Sequence, residues 1–165
     1  MLQFRLLDDN DLLLVETWLN KEHVKRWYEI PRLGVSIEDW MYEIKERNGE
    51  FKWLTYLMVL YDGRPIGLCQ YYKCEDSLDE AFGTLPLKGS YGIDYLIGEE
   101  AYIGKGLGKA MITLLADKIF SFPDAQRVTA DIDKDNKASE KTLLSCGFTL
   151  LDAGHSRYIL NKDGQ

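Results

Sequence analysis

Three glycines alternate in Ile103-Gly104-Lys105-Gly106-Leu107-Gly108, directly ahead of the apolar, helix-forming run from Ala110 to Ala116. Glycine has no Cβ, so its backbone N–H can turn outward and approach a ligand closely. A helix N-terminus adds orphan donors and a partial positive charge. Together they make a seat for phosphate or pyrophosphate, although the same residues would also serve as a plain connecting turn. The run is not a P-loop, which needs GxxxxGK followed by Ser or Thr. Nor is it the dinucleotide fingerprint, because the spacing is GxGxG and the loop lies two-thirds of the way along the chain. A phosphate-bearing ligand of another kind is expected.

Carboxylates form the second group. Asp94 sits among Ile93, Tyr95, Leu96 and Ile97, where a charge is costly unless it is paired or lines a cleft. Asp131 alternates with Asp133 and Asp135 at the end of another β-type run, which fits a solvated strand end as well as a binding site. Asp79 and Glu80 lie in a charged loop, the usual place for solvated surface. Trp27 and Tyr28 can be core residues or a wall that stacks on a sugar ring. The cysteines (Cys69, Cys74, Cys146) are odd in number and lack metal-ligand spacing, as in a reduced compartment. With only His23 and His155 as histidines, no metal site is expected.

The elements that must position these residues follow from periodicity. Leu2–Leu6 alternates as a strand, and Asp9 or Asn10 can cap a helix to about Asn20. A short helix is expected over Lys21–Trp27. Ser36 with Asp39 resembles a capping box opening a helix to about Asn48. Phe51–Tyr61 is a long β-type run that turns at Asp62-Gly63 into Pro65–Tyr72. Lys73–Gly89 is polar and irregular. Strand Tyr91–Gly98, the glycine loop, a helix from Gly106 to about Ser121, and strand Arg127–Ile132 form a βαβ crossover. A helix over Asn136–Cys146, stopped by Gly147, precedes strands Phe148–Leu151 and Arg157–Leu160. The fold expected is α/β (α+β): a mixed, mostly antiparallel sheet flanked by helices.

The chain has 165 residues, enough for one domain over 1–165. A net charge of −7 argues against nucleic acid and anionic membranes and favours cationic partners. Aspartates at positions 8, 9 and 11 interrupt any signal peptide, and no apolar run spans a bilayer, so a cytoplasmic location is expected.

On these residues the chain resembles the GCN5-related N-acetyltransferases (GNAT). Gly106 and Gly108 fill the glycine positions of that family's acyl-coenzyme A motif, Gln/Arg-x-x-Gly-x-Gly/Ala, and Ile103 departs from its first position. The run from Asn136 to Gly147-Phe148 looks like the family's second motif. The resemblance implies a sheet with splayed central strands and acetyl-coenzyme A as co-substrate, without a metal. Amides from Gly104 to Lys109 would hold the pyrophosphate. Backbone groups of Leu96, Ile97 and Gly98 would pair with the pantetheine arm. Ile103, Lys105, Leu107 and Asn136 complete the implied cofactor set. Leu143 stands where many members carry a Tyr that can protonate the departing thiolate; solvent, Tyr158 or another Tyr would have to serve.

Within the family, Gly92-Ile93-Asp94 and Lys25-Arg26-Trp27-Tyr28 resemble the aminoglycoside 6′-N-acetyltransferases. That resemblance implies Trp27, Tyr28, Asp79, Asp94 and Asp131 as substrate-binding residues, with Asp94 also catalytic as positioner or base. The implied reaction is direct attack of a primary amine on acetyl-coenzyme A in a ternary complex. The acceptor would be a small cationic amine and the enzyme a monomer or homodimer. Acetylation of a protein N-terminus, a siderophore or a polyamine, and a non-catalytic acyl-coenzyme A sensor, stay open as alternatives.

Overall fold

A computed structural model describes residues 1–77 and 82–164 of the chain. Its strands among these residues are β1 (Leu2–Leu6), β2 (Thr55–Tyr61), β3 (Arg64–Lys73), β4 (Ser90–Ile97), β5 (Arg127–Asp131), β6 (Thr149–Asp152) and β7 (Arg157–Asn161). They form one sheet in the order β1-β2-β3-β4-β5-β7-β6. The helices are α1 (Leu12–Leu19), α2 (Glu22–Tyr28), α3 (Ile37–Lys45), α4 (Leu107–Phe120) and α5 (Lys137–Ser145).

Helix starts obey side-chain chemistry. Ser36 and Asp39 close a reciprocal capping box at α3, and Asn136 accepts from the Ser139 N–H at α5. At the N-terminus, Asp8 rather than Asp9 or Asn10 is the cap. It opens a 3₁₀ turn over Asp9–Asp11 before α1 begins. The long run from Phe51 is not all strand. Residues 46–54 make successive turns, with the Phe51 N–H donating to Glu46 and the Leu54 N–H to Phe51. The Phe51 ring packs edge-on to Tyr42 of α3 at 5.9 Å. That contact and the turn bonds outweigh β-propensity until Thr55.

The chain divides into two compact units that interleave in sequence. The first comprises Met1–Gln70 and Tyr95–Lys105. Here β1 and β2 pair antiparallel from Leu2↔Tyr61 to Leu6↔Leu57, and Val15, Trp18, Met41, Ile44 and Met58 are buried. Gly98 is a steric requirement: a Cβ there would lie 2.1 Å from the Trp18 indole.

The second unit comprises Tyr71–Asp94 and Gly106–Gln165. Strands β4 and β5 pair in parallel, joined through α4 as the expected crossover. Their register covers only Ser90↔Arg127, Tyr91↔Val128 and Gly92↔Thr129, so the pairing stops well before β4 ends and just before β5 ends. Strand β7 runs antiparallel to β5 from Arg127↔Asn161 to Asp131↔Arg157. Register assigns the two faces, because side chains alternate along each strand. Ser90, Gly92 and Asp94 share a face with Thr129, Asp131, Arg157 and Ile159, and Tyr72, Cys74, Phe82 and Leu85 cover it. Tyr91, Val128, Ala130 and Tyr158 point to the opposite face. There Tyr91 stacks on Phe122 just past α4, and Tyr158 meets α5.

Candidate active site

Gly104 and Gly106 have φ of +77° and +76°, a backbone form that side chains oppose, and a Cβ at either would meet nothing within 4 Å. Both are exposed. Gly106 is the residue before α4 and supplies no side-chain cap, so no cap competes for the first-turn N–H groups of a 14-residue helix. The Lys105 ammonium lies 5.6 Å over the Tyr102 ring. Ile103 and Lys109 are exposed and Leu107 is half-buried. A Cβ on Gly108 would make ordinary contact, 3.6 Å, with Thr142 of α5. The Asn136 side chain is committed to capping α5 through Ser139.

The tail of β4 is held by α2 and the residue before it. The Tyr28 hydroxyl donates to the Tyr95 carbonyl at 2.9 Å. His23 Nε2 is 3.0 Å from the Ile97 carbonyl, which fixes this nitrogen as the donor. Lys21 Nζ donates to the Gly98 carbonyl at 3.1 Å. The Gly98 N–H donates to Ile66. Of the backbone groups expected to meet pantetheine, the Ile97 carbonyl and both groups of Gly98 thus already have partners in the protein. Trp18 Nε1 donates to Glu99 at 2.7 Å, which holds the Glu99 carboxyl below its ordinary range. Tyr28 is pinned further by Trp40, ring to ring at 5.0 Å and through the indole N–H to the Tyr28 carbonyl at 2.7 Å. Trp27 is half-buried beside it. Lys21 and His23 escaped the sequence reading, because their partners are 77 and 74 residues away.

Asp94 and Asp131 each stand two residues past the last paired position, Gly92↔Thr129, on the same sheet face. Asp94 is half-buried and engaged with other protein groups. Asp131 accepts two bonds at 2.8 Å from the guanidinium of Arg157. Arg157 is 2% exposed, whereas Asp131 keeps half of its side chain in solvent. The guanidinium also lies 5.2 Å over the Phe82 ring. Arg157 is the other residue that sequence reasoning missed; an arginine at a strand start carries no mark of its partner. Asp79 lies outside the described residues.

On the opposite face, Tyr158 donates its hydroxyl to Glu140 of α5 at 2.8 Å. Burial first, then this bond, raises its phenol above the ordinary value. Leu143 is fully buried, so it is a core residue. Burial pushes the Cys74 thiol up to about 12, so it is no nucleophile at neutral pH. Among the described residues, no group of His, Cys, Asp or Glu could hold a metal ion, and no helix is long and apolar enough to cross a membrane.

The chain matches the family model of the acetyltransferase (GNAT) domain over residues 8–155. It is similar to the aminoglycoside N(6')-acetyltransferase type 1 of Klebsiella pneumoniae and to that of Serratia marcescens. Each is 26% identical over 148 residues, spanning 87% of this chain and 72% of the relative. Among solved structures it resembles aminoglycoside acetyltransferase AAC(6')-Ib in complex with coenzyme A. The TM-score is 0.84 at 22% identity, covering 99% of this chain and 96% of that one. The aminoglycoside N(6')acetyltransferase of Legionella pneumophila superposes with a TM-score of 0.76 at 20% identity, covering 99% and 94%.

Proposed function

Because the chain belongs to the GNAT acetyltransferase family and uses acetyl-coenzyme A, we propose that its acceptor is a primary amine of a small polycation, specifically the 6′-amine of an aminoglycoside. The observation that carries this reading is the similarity to two aminoglycoside N(6')-acetyltransferases over 87% of the chain. The net charge of −7 suits a cationic acceptor.

On this reading each step falls to named residues. The amides around Gly106 at the head of α4 receive the pyrophosphate. The thioester is assigned a place beside Asp94, just past the last β4–β5 pair, Gly92↔Thr129. Asp94 accepts the ammonium proton of the acceptor, directly or through water. The freed amine attacks the thioester carbonyl, the amide C–N bond forms, the C–S bond breaks, and coenzyme A leaves as a thiolate that takes up a proton. No covalent enzyme intermediate is involved. Asp131, and Asp79 by its position in the family, receive further ammonium groups of the polycation. Trp27 and Tyr28 wall the sugar. The proton for the thiolate comes from solvent, since the Tyr158 proton is held by Glu140 and Leu143 has none.

A free-coenzyme A release assay across an amine panel tests this. Turnover is expected with aminoglycosides bearing a 6′-amine and absent with 6′-hydroxy analogues. Preference for a polyamine, a siderophore amine or a peptide N-terminus would replace the acceptor. Acetyl-coenzyme A binding with no turnover on any amine would make the protein a sensor.

A further inference from the structure

From the α2 contacts we infer that Tyr28 and His23 are positioning residues for acetyl-coenzyme A: they take the place of a neighbouring strand along the edge of β4 that the pantetheine arm joins. The inference rests on the proposed cofactor path along β4 and is independent of the acceptor.

Residues two apart in a strand turn their carbonyls to the same edge. The Gly98 N–H is directed at Ile66 of β3, so the carbonyls of Ile97 and Tyr95 point to the edge away from β3. On that side the register with β5 ends at Gly92. The two carbonyls are met instead by His23 Nε2 at 3.0 Å and the Tyr28 hydroxyl at 2.9 Å. A carbonyl has two lone pairs, so one bond from a side chain does not by itself bar a second from an incoming amide N–H. Both donors are stiffly held. Tyr28 is fixed by Trp40. His23 Nδ1 is buried with no hydrogen-bond partner among the described residues, and the Glu100 carboxylate lies 3.7 Å from it. A carbonyl can only accept, so Nε2 carries a proton, and the imidazole cannot flip without losing its bond to β4. The edge is preset for an added strand, and a ligand that pairs with it need not order it first.

Coenzyme A affinity, measured by calorimetry on the whole protein, tests this without an acceptor. Tyr28→Phe keeps the ring on Trp40 and removes only the hydroxyl. His23→Leu removes the donor, and His23→Gln restores an N–H at similar reach. Tyr28→Phe and His23→Leu should each weaken coenzyme A binding about three- to tenfold, the worth of one hydrogen bond. His23→Gln should recover most of the loss, and KM for acetyl-coenzyme A should rise more than kcat falls. Wild-type affinity in folded Tyr28→Phe and His23→Leu, or His23→Gln as weak as His23→Leu, would overturn the inference. Should His23→Leu fail to fold, Tyr28→Phe decides alone. Wild-type protein that binds no coenzyme A would instead remove the cofactor path itself.

Discussion

At the scale of residues, two aspartates share a face and a distance past the last β4–β5 pair but differ in what holds them. Asp94 lies within β4, while Asp131 is gripped by a buried guanidinium. Their replacements should separate. Asp94→Asn is expected to lower kcat by about 10²- to 10⁴-fold, the range for losing a general base, with coenzyme A affinity unchanged. An unaltered rate and pH–rate profile would remove Asp94 from the mechanism. Asp131→Asn leaves Arg157 against a neutral amide. Stability in urea should fall by about 2–3 kcal/mol, below the full range for a broken buried pair because Asp131 is half in water. If Asp131 also receives the acceptor, KM for the polycation rises in the same variant while KM for acetyl-coenzyme A holds.

At the scale of elements, the loop before α4 makes two glycines that look alike in sequence unequal. Gly106 has φ +76°, and alanine there would be strained by about 1–2 kcal/mol with no clash to explain it. Gly108 has no such φ, and its Cβ would meet only Thr142 at 3.6 Å. Coenzyme A titrations should therefore show weakened binding in Gly106→Ala and near wild-type binding in Gly108→Ala. Helix α3 offers a pH test. Burial raises the Glu43 carboxyl above its ordinary 4.5, partly offset by the bond from the Tyr56 hydroxyl. Folding thus opposes its ionisation. Stability is lost at pH values above its folded pKa and restored once the group is protonated in both states. Glu43→Gln should melt a few degrees higher than wild type at neutral pH, with the gap closing as pH falls to about 4; calorimetry across pH checks it. The same scale shows how far local rules reach. The α3 cap was legible because Ser36 and Asp39 are three residues apart. The strand start at Phe51 was misjudged because Tyr42 and the turn bonds to Glu46 compete there.

At the scale of the whole molecule, a net charge of −7 should steer a polycation toward the enzyme. Raising salt from about 0.02 to 0.5 M shortens the Debye length severalfold. It should lower kcat/KM for an aminoglycoside several-fold, measured at saturating acetyl-coenzyme A. A salt-independent kcat/KM would mean that the charge serves solubility alone.

What the sequence determined by itself was whatever depends on short spacing. Alternating glycines ahead of an apolar helix, the cap at Ser36 and the strand–helix–strand order all follow from local backbone and side-chain chemistry; it was their resemblance to the GNAT motifs that pointed to acetyl transfer from acetyl-coenzyme A. Tertiary structure alone decided which side chains answer which. His23, Lys21 and Tyr28 reach β4 across 74, 77 and 67 residues, and Arg157 reaches Asp131 across 26. Such pairs have no spacing to read, because a carbonyl or carboxylate accepts from whichever donor the folded chain brings within about 3 Å. The end of β4–β5 pairing at Gly92 and Thr129 is likewise a matter of register, which no single strand encodes.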